Sequence, residues 1–287
     1  MKSVIITGTS KGIGLETALA FGRAGYKVFA TMRNPEGAAA LKQTIKDESL
    51  TIIISAMDVN DDESVKQGIA AILQENGGID VLVNNAGIER HGSIEELEIA
   101  DFKAVMETNY FGVLRCMKSV LPQMRNNGKG CIINVASIAG RIANTPLGAY
   151  AASKYALEAV SESLAQEVKP FNIRVAIVEP GIINTQMARD ISIDDASIYP
   201  QAKRFAALFA ASLKTPVHAS LVADKILEIA DNDTWQLRHP VGPDALPFLQ
   251  WQASMTDEEY IDWHAATDEE WYTATENTFG LNVRQKQ

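Results

Sequence analysis

The stretch S-V-I-I-T-G-T-S-K-G-I-G, residues 3–14, joins a short apolar run to three closely spaced glycines, Gly8, Gly12 and Gly14. The apolar run predicts a buried strand over residues 3–7, and the residues from Gly12 onward predict a helix. Glycine lets the backbone turn tightly and approach a pyrophosphate, and a helix N-terminus offers unpaired N–H groups to an anion. The stretch therefore indicates a dinucleotide-binding strand, turn and helix rather than an ordinary turn.

The same alternation of strand and helix continues to about residue 180. Runs rich in Val and Ile predict strands, and amphipathic stretches between them predict helices. The further strands are expected at 27–31, 51–56, 79–83, 130–135 and 173–178, and the helices near 12–24, 35–46, 61–76, 101–126 and 149–168. This pattern is typical of an α/β fold with a doubly wound parallel sheet, the three-layer αβα Rossmann fold.

One dinucleotide-binding and catalytic domain is expected over residues 1–245, because no long linker or repeat interrupts them. The region at about 186–215 is apolar at helical spacing and predicts either a substrate loop or an amphipathic helix that covers the sheet. Residues 246–287 contain three of the four tryptophans and many acidic side chains. Because disordered tails are poor in aromatic residues, we expect an aromatic, acidic C-terminal extension that packs on the same or a neighbouring subunit.

Composition and charge limit the possible partners. The 287 residues include 26 Lys and Arg against 36 Asp and Glu, a formal net charge of −10, which argues against nucleic acid and against a membrane as partners. No signal peptide and no apolar run of membrane-spanning length is apparent. Cys116 and Cys131 match no metal-binding or disulfide pattern. We expect a cytoplasmic protein without a metal site.

The residues after the second predicted strand bear on the choice of cofactor. The segment A-T-M-R-N, residues 30–34, places Arg33 where a carboxylate would hold the ribose 2′-hydroxyl of NAD(H). Lys11, in the glycine loop, adds a second positive charge. The two cations favour a 2′-phosphate and so NADP(H), with NAD(H) as the alternative. Asp58, at the end of the third strand, is expected to accept a hydrogen bond from the adenine or to cap the next turn.

Three further residues point to acid–base chemistry. Tyr150 and Lys154 stand four apart in a predicted helix, so both project from the same face. An ammonium beside a phenol stabilises the phenolate and lowers its pKa from about 10, as proton exchange near neutral pH requires. Ser137 follows the strand at 130–135, at the edge of the sheet where ligands bind, and its hydroxyl can hydrogen-bond a carbonyl oxygen as charge develops on it.

As an ordered set, these residues resemble the short-chain dehydrogenase/reductase family. The segments A-T-M-R at 30–33, V-E-P-G at 178–181 and P-V-G-P-D-A at 240–245 look most like its hydroxysteroid and retinol dehydrogenase branch. The matching elements are T-G-x-x-x-G-x-G at 7–14, N-N-A-G at 84–87, Asn109, Ser137, Tyr150, Lys154 and P-G-x-x-x-T at 180–185. The resemblance implies that Tyr150 is the general acid/base and that Lys154 lowers its pKa and binds the nicotinamide ribose. It also implies that Ser137 orients the substrate oxygen and that Asn109 holds a water in a proton relay.

The resemblance extends to the cofactor and to the assembly of subunits. The expected cofactor-binding residues are Gly8, Ser10, Lys11, Gly12, Ile13, Gly14, Arg33, Asp58, Val59, Asn85, Ala86, Gly87, Tyr150, Lys154, Pro180, Gly181, Ile182 and Thr185. Members of the family usually form homodimers or homotetramers through helices that correspond to residues 101–126 and 149–168, so we expect one of these states here.

The expected reaction is reversible hydride transfer between a nicotinamide cofactor and a medium-sized, largely apolar ketone, aldehyde or secondary alcohol. The expected substrate contacts are His91, Ile138, Arg141, Leu147 and Met187. Of these, His91 and Arg141 either meet a polar or anionic group or lie on the rim. Two alternatives stay open: a catalytically silent dinucleotide-sensing binding protein, and an epimerase or dehydratase on the same fold.

Overall fold

The computed structural model describes residues 1–191 and 197–284, and this part of the chain contains one sheet of seven strands. The strands are β1 (Ser3–Thr7), β2 (Lys27–Met32), β3 (Ile52–Ala56), β4 (Val81–Asn84), β5 (Gly130–Val135), β6 (Ile173–Pro180) and β7 (Arg238–Val241). They are all parallel, in the order β3-β2-β1-β4-β5-β6-β7. The strand order reverses direction between β1 and β4, which confirms the predicted doubly wound sheet.

Helices cover both faces of the sheet. They are α1 (Gly12–Arg23), α2 (Ala39–Glu48), α3 (Asp62–Asn76), α4 (Ile99–Met106), α5 (Gly112–Asn127), α6 (Gly148–Val168), α7 (Gln186–Arg189), α8 (Gln201–Ser212), α9 (Ser220–Asp231), α10 (Ala245–Ala253), α11 (Asp257–Ala265) and α12 (Asp268–Phe279). A π-helical turn, Glu107–Phe111, joins α4 to α5. Helices α1, α2 and α9 contribute to the hydrophobic core on one face of the sheet, and α3, α5 and α6 contribute to the core on the other.

Strand β1 shows why helices cover both faces of the sheet. Its five residues are all buried. Because successive side chains of a strand point to opposite faces, Val4 and Ile6 pack into the core beneath α1 and α9, whereas Ile5 packs into the core beneath α3 and α5. A run of apolar residues without alternation is therefore what this strand needs.

Strand β7 was not predicted from the sequence. Its four residues, R-H-P-V, form the edge of the sheet beside β6 and include Pro240. A proline inside a sequence argues against a central strand, although an edge strand tolerates it, and a short strand with charged and polar side chains lacks the apolar run that reveals a buried strand. The other six strands lie within two residues of their predicted bounds.

Helices α11 and α12 pack on α8 of the same chain. Trp271 of α12 and Val283 form a small apolar cluster with Ala207 and Ala211 of α8. Arg204 of α8 is only 4% exposed, and its guanidinium donates to Asp268 Oδ1 at 2.6 Å and to the backbone oxygen of Ala266 at 2.7 Å. Helix α8 is thus held between the C-terminal helices and the rest of the fold.

The boundary at residue 245 and a contact of the extension with a neighbouring subunit stay predictions. Of the expected substrate region and extension, residues 192–196 and 285–287 lie outside the described residues. None of the helices that the structure describes is both long enough and apolar enough to cross a membrane. Within residues 1–191 and 197–284, no group of three His, Cys, Asp or Glu side chains is arranged to hold a metal ion.

Candidate active site

A cavity of about 660 Å³ opens at the carboxyl ends of the central strands. The glycine loop after β1 lines it, as do Asn85, Ala86 and Gly87 after β4, Ser137 after β5 and the loop after β6 from Pro180 to Thr185. This is the position at which open parallel sheets bind their ligands, and the volume is that of a typical small-molecule site.

The glycine loop is held in a tight shape. Gly8 has a φ of +71°, which favours glycine. A Cβ on Gly14 would lie 2.3 Å from the backbone oxygen of Gly8 and 2.4 Å from Asn85 Nδ2, so only glycine fits there. Within the described chain, the N-cap residue Lys11 makes no side-chain hydrogen bond to the first turn of α1. The N–H groups at this helix end are therefore able to meet an anion.

The other residues expected to bind a cofactor lie around the same cavity. Lys11 and Arg33 are exposed, and both line it close to the glycine loop. Asp58 and Val59 also line it, beyond the end of β3. Asp58 Oδ1 accepts a hydrogen bond from the backbone N–H of Asn60 at 3.0 Å, so this carboxylate caps the turn that follows the strand. A contact between Asp58 and adenine stays a prediction.

Tyr150 and Ser137 meet at the centre of the cavity wall. Tyr150 lies in the first turn of α6, and Ser137 precedes a 3₁₀ turn whose Ala139 N–H it accepts at 3.1 Å. Burial raises the pKa of Tyr150 to about 12, a hydrogen bond with Ser137 lowers it in part, and the Glu89 carboxylate raises it. The phenol is thus protonated at neutral pH.

Lys154 lies one turn further along α6, on the same face as Tyr150. Its Nζ is 5.5 Å from the centre of the Tyr150 ring and donates to the backbone oxygen of Val135 at 2.9 Å. Burial lowers the pKa of Lys154 to about 8, against an opposing effect of Glu158. Burial raises the pKa of Tyr150 in this structure, against the lowering expected from Lys154, so the effect of Lys154 on this pKa stays a prediction.

Asn109 lies beneath the cavity, in the π-helical turn, and is 1% exposed. Its Oδ1 accepts from Ile88 N at 2.9 Å, and its Nδ2 donates to Ile88 O at 2.9 Å and to Ser153 Oγ at 3.0 Å. These bonds fix the loop after β4 against α6. Asn109 is not among the described residues that line the cavity, and its part in a water relay stays a prediction.

The structure brings four of the five expected substrate residues to the cavity: His91, Ile138, Leu147 and Met187. Arg141 is not among the residues that line it in the described chain. Its guanidinium instead contacts the fully buried Glu179, with Nη1 3.2 Å from Oε1. The structure thus gives Arg141 a buried carboxylate as its partner in place of a substrate.

Phe248 and Glu89 are among the cavity residues that were not singled out from the sequence. Phe248, from α10, lines the cavity beside Phe205, Leu208 and Phe209 of α8. No local motif marks an aromatic residue so far along the chain, and only the packing of the extension shows where it lies. Glu89 also lines the cavity, just after N-N-A-G. Its position directly after that motif was a usable signal, because ligands bind at the carboxyl ends of the strands in open parallel sheets.

Comparison with known proteins agrees with this geometry. The sequence profile described as short chain dehydrogenase matches residues 2–196. Retinol dehydrogenase 8 of Bos taurus is 41% identical over 190 residues, which are 64% of this chain and 60% of that protein. A solved short-chain dehydrogenase from Streptomyces avermitilis is 32% identical, with a TM-score of 0.78 over 92% of this chain and 96% of that one.

A second similar solved structure is a gluconate 5-dehydrogenase from Burkholderia cenocepacia J2315 in complex with NADP and tartrate. It is 26% identical, with a TM-score of 0.74 over 85% of this chain and 95% of that one. The parallel sheet, the glycine loop and the matched profile all point to one conclusion. The chain belongs to the short-chain dehydrogenase/reductase family of oxidoreductases.

Proposed function

We propose that the protein is an NADP(H)-dependent carbonyl reductase and alcohol dehydrogenase. Its substrate would be a medium-sized, largely apolar ketone, aldehyde or secondary alcohol, and Tyr150 would be its general acid/base. One observation carries the proposal: Ser137, Tyr150 and Lys154 lie in the same cavity as the glycine loop. A hydride carrier would therefore reach the carbon of a carbonyl group, and a proton donor would reach the oxygen of the same group.

The residues around the cavity fit a dinucleotide. The tight turn at Gly8 and the free N–H groups at the start of α1 suit a pyrophosphate, and Lys11 and Arg33 suit a 2′-phosphate. The loop from Pro180 to Thr185 would hold the carboxamide of the nicotinamide. The NADP in the similar gluconate 5-dehydrogenase structure supports this choice. When bound, the cofactor supplies or accepts the hydride.

Tyr150 supplies the proton in reduction. Because its pKa is raised to about 12, the phenol holds its proton at neutral pH and can give it to a carbonyl oxygen. Ser137 hydrogen-bonds the same oxygen and keeps it within reach of Tyr150. In the direction of oxidation Tyr150, once deprotonated, would accept the proton of the alcohol, so the same residue serves both directions.

Lys154 supports the phenol as it gives up its proton. Its ammonium, 5.5 Å from the ring centre, stabilises the negative charge that forms on Tyr150. The hydrogen bond to Val135 fixes the position of Nζ beneath the cavity. Lys154 thereby makes it easier for Tyr150 to become a phenolate during turnover, although the phenol is protonated before the reaction.

The walls on the substrate side account for the preference for apolar substrates. They are formed by the side chains of Ile138, Ile142, Leu147, Met187, Phe205, Leu208, Phe209 and Phe248. Removing apolar surface from water stabilises a complex by roughly 25 cal/mol per Å². A compact charged substrate would leave the apolar walls exposed to water, whereas an aromatic or branched ketone would cover them.

The experiment is a spectrophotometric assay of NADPH and NADH consumption with a panel of ketones and aldehydes. Replacing the phenol in Tyr150→Phe is expected to lower kcat by about 100-fold or more, because a positioned general acid contributes that much. Tyr155→Phe, at an exposed position on the same helix, is the matched control and is expected to keep its activity. Undiminished activity of Tyr150→Phe would remove the assignment, and tight NADPH binding without turnover of any substrate would favour a silent binding protein.

A further inference from the structure

Glu89 places a carboxylate in the wall of an otherwise largely apolar substrate cavity. Its side chain is only 10% exposed. One oxygen, Oε2, lies 3.2 Å from His91 Nδ1, which donates when it carries the proton. The other oxygen, Oε1, is buried and has no hydrogen-bond partner in the part of the chain that the structure describes.

An unpartnered buried carboxylate oxygen is unfavourable, because the acceptor has lost its water and gained nothing in return. Within the described residues, this oxygen holds no loop or helix in place, so the fold gives no reason for its position. Glu89 lines the same cavity as Ser137 and Tyr150, and its carboxylate raises the pKa of Tyr150. A group that belongs to a ligand is therefore the natural partner.

We propose that Glu89 Oε1 accepts a hydrogen bond from a hydroxyl group of the substrate, so that the substrate is a hydroxyketone and its product a diol. The proposal rests on the function proposed above. The carbonyl oxygen would face Tyr150 and Ser137, and the hydroxyl would stand one or two carbon atoms away from the carbonyl carbon, on the side of Glu89. The remaining, apolar part of the molecule would cover the aromatic wall.

The surrounding charges favour a neutral hydroxyl over an ammonium group. Arg90, whose Nε lies 3.4 Å from Asp101 Oδ1, and Lys154 line the same cavity, so a cationic substrate would meet the positive charge of Lys154 and the partly compensated charge of Arg90 there. His91 already occupies the second oxygen of Glu89. A hydroxyl donates one hydrogen bond to the oxygen that lacks one and adds no charge.

The test uses pairs of ketones in which a hydroxyl replaces a methyl group of equal size. One pair is 2-hydroxyacetophenone, with its hydroxyl on the carbon beside the carbonyl, and propiophenone. The other pair is 3-hydroxypropiophenone, with its hydroxyl at the end of the side chain, and butyrophenone. We expect kcat/KM to favour the hydroxyketone by about 10-fold or more in at least one pair, the range for a hydrogen bond to a charged group. A ratio near one in both pairs would overturn the proposal.

Variants assign the preference to Glu89. Glu89→Met removes the acceptor and is expected to abolish the preference for the hydroxyl, whereas Glu89→Gln keeps the shape and a neutral acceptor and is expected to retain part of it. The control is Glu98→Gln, which removes an exposed carboxylate outside the cavity lining and is expected to leave the ratio unchanged. A preference that survives in Glu89→Met, or a higher kcat/KM for 2-aminoacetophenone than for 2-hydroxyacetophenone, would contradict the proposal.

A binding measurement separates this proposal from the proposed function. Calorimetry with 2-hydroxyacetophenone and with propiophenone, in the presence of NADP⁺, reports affinity without turnover. We expect the hydroxyl to tighten Kd by about 10-fold in the unaltered protein and not in Glu89→Met. If none of the ketones is reduced but this difference in affinity holds, the proposed function fails and the Glu89 site stands. If ketones are reduced but the difference is missing, the site fails alone.

Discussion

The carboxylate of Asp244 accepts a hydrogen bond from the backbone N–H of Ile182, with Oδ2 2.7 Å from the nitrogen. Glycines give this carboxylate its space: a Cβ on Gly181 would lie 2.2 Å from Oδ1, and a Cβ on Gly242 would lie 2.8 Å from it. Gly181 and Ile182 line the cavity, and Asp244 directly precedes α10. The contact therefore joins the loop after β6 to the start of the C-terminal extension.

The first prediction concerns this contact. Asp244→Ala removes the acceptor and leaves the loop from Pro180 to Thr185 less ordered, so we expect NADPH to bind about 10-fold more weakly. Asp244→Asn keeps an acceptor of the same size and is expected to lose less affinity for NADPH. Fluorescence titration of NADPH measures both. Asp257→Ala, at an exposed position in α11, is the control, and unaltered affinity in Asp244→Ala would show that the loop does not need this bond.

Much of this architecture follows from local sequence, for reasons that the structure makes visible. Strands β1, β2, β4, β5 and β6 are mostly buried, and all six predicted strands are rich in apolar residues. Ser137 lies at the end of a strand, and Tyr150 and Lys154 lie on one face of a helix, so local sequence could predict their positions. The burial of the Tyr150 phenol depends instead on what surrounds it, so the direction of its pKa shift was not predictable. Local sequence also gave no sign that Arg141 would pair with Glu179.

The second prediction concerns the choice of cofactor. Arg33→Asp replaces a cation at the cavity with a carboxylate, which would repel a 2′-phosphate and hydrogen-bond a 2′-hydroxyl. We expect the ratio of kcat/KM for NADPH to that for NADH to fall by about 100-fold, because the reversed charge at this exposed site replaces an attraction to the phosphate with a repulsion. Lys66→Asp makes the same change at an exposed site on α3 and is expected to leave the ratio unchanged. An unchanged ratio in Arg33→Asp would refute a contact with the phosphate.

The third prediction concerns the aromatic wall from the extension. The centres of the Phe248 and Phe279 rings lie 4.5 Å apart, and Phe248 lines the cavity. Phe248→Ala enlarges the substrate side, so we expect kcat/KM for a bulky ketone to rise relative to that for a small one by about 10-fold. Steady-state kinetics with matched ketones measures this ratio. Leu246→Ala, on the same helix but 51% exposed, is expected to leave it unchanged, and a constant ratio in Phe248→Ala would place the size limit elsewhere.

The fourth prediction concerns two buried carboxylates behind the active site. Burial and the neighbouring Glu179 raise the pKa of Glu158 from 4.5 to about 7, against the opposing effect of Arg238. The folded protein therefore holds a proton on Glu158 at pH values where the unfolded chain has released it. This contribution to stability is fully present below about pH 4.5 and is lost as the pH rises through about 7.

We expect the free energy of unfolding to fall between about pH 5 and pH 8 less steeply in Glu158→Gln than in the unaltered protein, because glutamine has no proton to lose. Thermal or urea unfolding across this range measures the slope. Glu162→Gln is the control, since Glu162 binds the same Arg238 guanidinium at 2.7 Å but is exposed, and Arg238 lowers its pKa. That carboxylate is ionised throughout the range in either state, so its loss shifts stability equally at each pH. A slope in Glu158→Gln equal to that of the unaltered protein would mean that Glu158 does not release its proton in this range.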